Sequence, residues 1–287
     1  IRDSYLPGRH LPESILITDD LAQATAEGDM IVLALPAASI RQVCLRIADC
    51  LRTPFIAVCA SKGLEEQTGL TLDHVMTEAL AGRPVALFSG PTFAVEIARG
   101  QPAAAVVACR DLAALQTVQQ VFATDRFRVY TTEDVTGVAI GGALKNVMAI
   151  AVGCADGIGF GDNARAALIT RGLHEMGRLA ERLGGNPLTL SGLTGLGDLV
   201  LTCTGNLSRN RQVGLALAKG DTVASITARL GQVAEGVYTA RIAANLALRL
   251  GIDLPITTQV AALLSGACTA HQAVSSLLAR ESRSERS

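Results

Sequence analysis

The chain has 287 residues, 49% hydrophobic and 18% charged, with 28 glycines, no tryptophan and 3% aromatics. That composition excludes a disordered or collagen-like chain and requires a core built from aliphatic side chains. A formal net charge of −1 and the lack of any long Lys/Arg run exclude the electrostatic footprint of a nucleic-acid or membrane-surface binder, leaving a small molecule as the expected partner.

At about 150 residues per domain the length suggests two domains. In the first half, apolar and β-branched runs at Ile15–Thr18, Met30–Pro36, Pro54–Ser61, Val85–Gly90, Ala103–Arg110 and Phe127–Thr132 predict strands. Amphipathic stretches at Asp20–Glu27, Ser39–Leu51, Leu70–Ala81, Thr92–Arg99 and Leu112–Ala123 predict helices between them. This alternation predicts βαβ units and a doubly wound, mostly parallel Rossmann-type sheet over residues 1–134, a dinucleotide-binding domain. The Gly-x-Gly-x-x-Gly turn that such a sheet carries after its first strand is not found in the right context, since Gly137-x-x-x-Gly141-Gly142 falls inside a helical pattern and reads as helix packing. Either the doubly wound reading fails, or the first strand, its glycine turn and its helix are expected to precede Ile1.

After Asp134 the strand pattern stops. Helices are predicted at Val135–Val152, Asn163–Leu183, Gln212–Ala218, Val223–Leu230, Val237–Leu250 and Gln259–Ser265, giving an all-helical second domain over residues 135–287, with a frayed tail at Arg280–Ser287. No Pro/Gly/Ser-rich linker divides the halves, so they are expected to pack tightly around a cleft. The most apolar stretches, such as Met30–Pro36 and Phe55–Ala60, are strand-length, and no membrane-spanning segment is expected. Seven scattered cysteines without metal-type spacing read as small buried hydrophobes in a reducing, cytoplasmic setting. The four histidines lie far apart and read as surface or helix-face residues, and no metal site is expected.

Chemistry concentrates in a few places. Lys145 interrupts an otherwise small and apolar helix; a desolvated lysine near another cation has its pKa lowered toward the range useful for proton transfer. Lys62 ends a predicted strand, where an open parallel sheet has its ligand crevice. In Ser89-Gly90-Pro91-Thr92-Phe93-Ala94, Thr92 is a candidate N-cap, and Gly90 would allow close approach of backbone to a ligand. Asp198 sits in a Gly-rich segment that reads as a turn. Ser208, Arg209, Asn210 and Arg211 precede a helix, an arrangement suited to an anion. Each also has a plainer reading: a snorkelling or loop lysine, a turn aspartate, an N-cap serine with solvated arginines.

Taken together, Gly141-Gly142-Ala143-Leu144-Lys145-Asn146, Asp156 to Leu168, and Gly195-Leu196-Gly197-Asp198-Leu199-Val200-Leu201-Thr202-Cys203-Thr204 leading into Ser208-Arg209-Asn210-Arg211 resemble the bacterial NAD(P)-dependent glycerol-3-phosphate dehydrogenase family over nearly the whole chain. The resemblance implies interconversion of dihydroxyacetone phosphate and sn-glycerol 3-phosphate with NAD or NADP, serving phospholipid synthesis, in a homodimer. It implies Lys145 as proton donor or acceptor and Lys62, Gly90, Thr92, Asp198, Ser208, Arg209 and Asn210 as substrate contacts. Lys62, Ala94, Arg209, Val233 and Glu235 would meet the cofactor. Ala37-Ala38 departs from the family pattern, which more often has a small hydroxyl residue after the proline. The alternatives are a related dehydrogenase of a non-phosphorylated hydroxy acid, or a ligand-binding relic without catalysis.

Overall fold

The structure, a computed structural model, describes residues 6, 8, 11–51, 53–231 and 234–279. Val233 and the tail at Arg280–Ser287 lie outside the described residues. In chain order the first half runs α1 (Leu21–Thr25), β1 (Met30–Leu33), α2 (Ile40–Cys50), β2 (Ile56–Cys59), α3 (Leu72–Ala79), β3 (Val85–Ser89), α4 (Ala94–Ala98), β4 (Ala103–Ala108), α5 (Leu112–Phe122) and β5 (Phe127–Thr132). The strands form one sheet in the order β1-β2-β3-β4-β5. Pairings β1–β2, β2–β3 and β4–β5 are parallel, and β3–β4 is antiparallel.

The reversal follows from the connection. Five-residue α4 is about 7.5 Å long, against about 17 Å for the five residues of β3, so it does not carry the chain back to the start of β3, and β4 returns beside its neighbour. Ile15–Thr18, expected as a strand, is not one. No described strand pairs with it and Ile15, Leu16 and Ile17 are exposed. β-branched residues favour a pleated, half-buried surface, and without a ladder partner they supply no strand.

The second half is helical: α6 (Val135–Gly157), α7 (Asp162–Arg182), a 3₁₀ turn at Pro187–Ser191, a π-turn at Leu193–Gly197, α8 (Asp198–Thr204), α9 (Arg209–Ala218), α10 (Val223–Leu230), α11 (Glu235–Leu250), α12 (Pro255–Leu264) and α13 (Ala270–Leu278). Its hub is α6. This helix has the length and apolarity to cross a membrane, contrary to the expectation that apolar stretches are only strand-length. Yet 94% of its most apolar window is buried inside the protein, so it is the core helix of the bundle.

The glycines of α6 explain how it is surrounded. A Cβ at Gly153 would lie 2.2 Å from the Arg211 carbonyl, and one at Gly214 of α9 would lie 2.1 Å from the Ile150 carbonyl, so the two backbones touch where the helices cross. Asp156 pins the same junction, accepting from Arg211 Nη2 at 2.7 Å and Arg165 Nη2 at 2.9 Å. Glu175 of α7 is buried and caps α12, accepting from the Ile256 N–H at 2.6 Å and from the N–H and hydroxyl of Thr257 at 3.1 and 3.0 Å. Burial pushes its carboxyl up to about 7 against the pull of those donors. Of the cysteines, Cys50 is exposed and Cys268 half-buried, while the other five are buried as expected.

Candidate active site

The carboxyl ends of β2 and β3 face the α6–α8 corner of the helical half, and the charged residues singled out above meet there. Lys62 follows β2; its stem lies over Gly142 of α6, where a Cβ would come within 3.4 Å of Lys62 Cγ. Lys145 is one turn further along α6. Asp198 opens α8 directly after the π-turn, a helical distortion common at functional sites.

The three side chains form a bridge. Asp198 Oδ2 accepts from Lys62 Nζ at 2.6 Å and Oδ1 from Lys145 Nζ at 2.8 Å. Lys145 Nζ also donates to Thr202 Oγ1 at 2.9 Å, and Thr202 in turn donates to the Asp198 carbonyl at 2.6 Å. Lys62 Nζ donates to the Gly90 carbonyl at 3.1 Å. Both halves of the chain therefore contribute to one buried polar cluster, with side-chain exposures of 19% for Lys62, 8% for Lys145 and 2% for Asp198.

Electrostatics separate the roles. Burial, and then the Lys62 charge, push the Lys145 ammonium down to about 8 against the attraction of Asp198. Burial alone would raise Asp198, but Lys62 and Lys145 outweigh it and hold the carboxyl below its usual range. Two ammoniums share one carboxylate, so one net positive charge remains where a substrate oxygen gaining negative charge could be stabilised. Close by, Cys203 is pushed up to about 12 by burial and stays a neutral thiol.

The loop after β3 differs from its expected form. Phe93, not Thr92, is the N-cap of α4, and the Thr92 hydroxyl turns back to donate to the Gly90 carbonyl at 3.0 Å. Gly90 adopts φ +138°, and a Cβ there would lie 3.0 Å from Ala105 Cα, so strand β4 is the close neighbour that this glycine admits. Ala94 is exposed in the first turn of α4, with no link to the lysine bridge among the described contacts. Asp198, read as a turn residue, belongs to a helix.

At the start of α9, Ser208 is the N-cap as expected, its hydroxyl accepting from the Arg211 N–H at 3.2 Å. Arg211 is turned away onto Asp156 and is not available for an anion. Arg209 is exposed at the helix start. Asn210 is buried, donating to Asn146 Oδ1 at 2.9 Å and accepting from the Gly236 N–H at 3.0 Å. Glu235, at the head of α11, accepts from the Ala37 N–H at 3.1 Å. Burial raises its carboxyl against that hydrogen bond and the Arg209 charge, which places Glu235 and Arg209 within electrostatic reach of each other.

Sequence alone does not single out Thr202 or Asn146. Thr202 carried a readable signal, being four residues after Asp198 and so on the same helix face once α8 is known to be a helix. Asn146, beside Lys145, gave no separate signal.

A Rossmann-type sheet whose strand ends meet a helical half at a lysine–aspartate–lysine bridge places the chain among the NAD(P)-dependent dehydrogenases. The chain belongs to the NAD-dependent glycerol-3-phosphate dehydrogenase family: the family's N-terminal model matches residues 2–115 and its C-terminal model residues 134–275. It is 49% identical over 284 residues to a "Glycerol-3-phosphate dehydrogenase [NAD(P)+]" of Solidesulfovibrio magneticus, covering 98% of this chain and 86% of that protein. A protein of the same description from Symbiobacterium thermophilum is 48% identical, with 96% and 81% covered. The crystal structure of glycerol-3-phosphate dehydrogenase from Coxiella burnetii superposes with a TM-score of 0.93 at 39% identity, covering 96% of this chain and 85% of that one.

Proposed function

We propose that this chain interconverts dihydroxyacetone phosphate and sn-glycerol 3-phosphate with NAD or NADP, and that residues 1–134 hold the dinucleotide while residues 135–287 supply the substrate pocket. The observation that carries this reading is the Lys62–Asp198–Lys145 bridge at the junction of the halves, in a chain of this family.

The described residues fit a nicotinamide dinucleotide. The crevice at the strand ends is kept narrow and side-chain-free at Gly63, where a Cβ would lie 2.8 Å from Ala37 Cβ and 3.5 Å from Glu235 Oε2. Lys62 and Glu235 border it, with Arg209 within electrostatic reach of Glu235. These residues would hold the cofactor's nicotinamide end, and Ala94 and Val233 join them by family resemblance. When bound, the cofactor supplies or accepts the hydride.

In the reducing direction, negative charge develops on the C2 oxygen of the ketone. Lys145, poised near neutral pH, donates its proton to that oxygen, and in the oxidising direction the neutral amine takes it back. Asp198 and Thr202 aim the ammonium, and Lys62 adds a second positive charge to the same field. The α9 start, with Ser208, Arg209 and Asn210, grips the substrate phosphate, with Gly90 and Thr92 on the facing loop. Binding energy from that remote phosphate then serves the transition state. The same reading includes a homodimer in the cytoplasm, providing glycerol 3-phosphate for phospholipid synthesis.

The test compares dihydroxyacetone phosphate with dihydroxyacetone in oxidation of NADH and of NADPH, for the protein and its Arg209→Ala variant. At saturating cofactor, which offsets the loss of the Arg209 contact to the dinucleotide, Arg209→Ala should raise KM for the phosphorylated ketone at least tenfold and lower kcat/KM for dihydroxyacetone far less. Equal use of both ketones by the unaltered protein would instead favour the non-phosphorylated hydroxy-acid reading.

A further inference from the structure

A second cluster of donors lies away from the lysine bridge, between the loop after Lys62 and the far end of α11. A cavity of about 270 Å³ is lined there by Glu66, Gln67, Thr68 and Gly69 from the sheet half and by Arg241, Ile242, Asn245 and Arg249 from α11. Arg241, Asn245 and Arg249 are spaced four residues apart, so they share one helix face and point at the loop together. Ile242 closes the floor.

The donors are only partly used. Arg241 Nη2 pairs with Glu66 Oε1 at 2.5 Å, which neutralises the one carboxylate of the cavity. Arg249 spends one Nη2 contact, at 3.4 Å, on the Thr68 carbonyl, and it reaches the loop because Gly69 has no side chain: a Cβ there would lie 2.7 Å from Nη2. The side-chain amides of Asn245 and Gln67 find no hydrogen-bond partner among the described residues. The remaining Arg249 donors and two free amides therefore converge from two elements on a space carrying one net positive charge.

We propose that this cavity is a binding site for a small phosphate anion, inorganic phosphate or a phosphate monoester, distinct from the substrate site. A planar carboxylate is satisfied by a single guanidinium fork, whereas donors arriving from two sides match the several oxygens of a tetrahedral anion. The volume is below the range of about 300–1,000 Å³ typical of drug-sized ligands, and it suits a small anion better than a dinucleotide. An anion here links the loop that begins at Lys62–Gly63 to α11, whose first residues contact Ala37 and Asn210. Occupancy thus stiffens the junction of the two halves, and binding to the folded state alone raises the melting temperature.

The experiment is a thermal-melt titration with inorganic phosphate, and separately with methyl phosphate, against chloride at matched ionic strength. It is run in the Arg209→Ala background to weaken the substrate phosphate grip. The melting temperature should rise with each phosphate. Adding Arg249→Gln should weaken the apparent affinity at least tenfold, and Asn245→Asp, nearly isosteric but anionic, should abolish the response even if Arg249→Gln compromises folding. With Arg209 intact, both cavity variants should keep kcat and KM for dihydroxyacetone phosphate within twofold in phosphate-free buffer. The site is refuted by a phosphate response no greater than that to chloride, or by one that both cavity variants retain unchanged.

Discussion

Replacing Asp198 by asparagine keeps the shape of the bridge and removes its charge, leaving two ammoniums facing each other in a nearly dry site. Breaking a buried ion pair from one side costs about 3–5 kcal/mol. Lys62 is partly exposed and can turn to water, so most of that cost falls on Lys145, which is 8% exposed. Lys145 has an escape: neutralising an ordinary lysine at pH 7 costs about 5 kcal/mol at roughly 1.4 kcal/mol per pKa unit, which caps the penalty. The sign of the pH dependence follows. Without Asp198 the folded-state pKa of Lys145 drops further below its present value of about 8, so the unfolded chain binds more protons over a wider range. Stability of Asp198→Asn then begins to rise with pH at a lower pH than in the unaltered protein. The deficit should be about 3–4 kcal/mol at pH 6–7 and narrow toward pH 8, read from urea midpoints at pH 6, 7 and 8. Turnover should fall by about 10²–10⁴, because the ammonium loses both its charge state and its aim. A deficit under about 1 kcal/mol that does not vary with pH would refute the bridge as the organising contact of the site.

Two further outcomes test the frame around it. Glu175 is protonated more readily folded than unfolded, so its stability contribution is full below about pH 4.5 and is lost as pH rises toward about 7. Glu175→Gln should flatten that slope, worth up to about 3 kcal/mol, in melts between pH 5 and 8; an unchanged slope would place the titration elsewhere. Gly214→Ala puts a Cβ 2.1 Å from the Ile150 carbonyl and should cost about 3 kcal/mol or more, lowering the melting temperature by about 6–10 °C; a change within about 2 °C would mean that α6 and α9 do not cross as closely as described.

Much of this organisation is legible from residue order alone, and the gaps have physical causes. Strands β2, β3 and β4 show as apolar runs because a sheet covered by helices needs no polar face, whereas β5 is read from its β-branched and aromatic residues and leaves Arg128 and Tyr130 exposed. The antiparallel turn of β4 does not show, since pairing direction depends on how far the preceding helix carries the chain. Ile15–Thr18 has strand composition without a strand partner, and composition cannot report a partner. Lys145 stands out as a charge in an apolar helix, and its desolvation is as expected. Its pairing with Asp198, 53 residues away, is not in the sequence. Asp198 is disguised by Gly192, Gly195 and Gly197, which read as a turn; they instead cap and form a π-turn, with backbone packed directly on Gly195, where a Cβ would lie 1.9 Å from the Leu190 carbonyl. Arg211 shows the converse error, since a helix-start arginine looks like an anion ligand until Asp156 is seen to hold it.

The most direct measurement is the pH profile of kcat/KM for the protein in both directions with saturating cofactor. If Lys145 is the acid that protonates the C2 oxygen, reduction of dihydroxyacetone phosphate falls as pH rises through about 8, and oxidation of glycerol 3-phosphate rises through the same pH. Both limbs should vanish in Lys145→Met together with a loss of about 10²–10⁴ in kcat. Profiles that do not mirror each other, or a Lys145→Met variant that keeps both the limbs and most of its turnover, would contradict the assignment of Lys145 as the proton carrier.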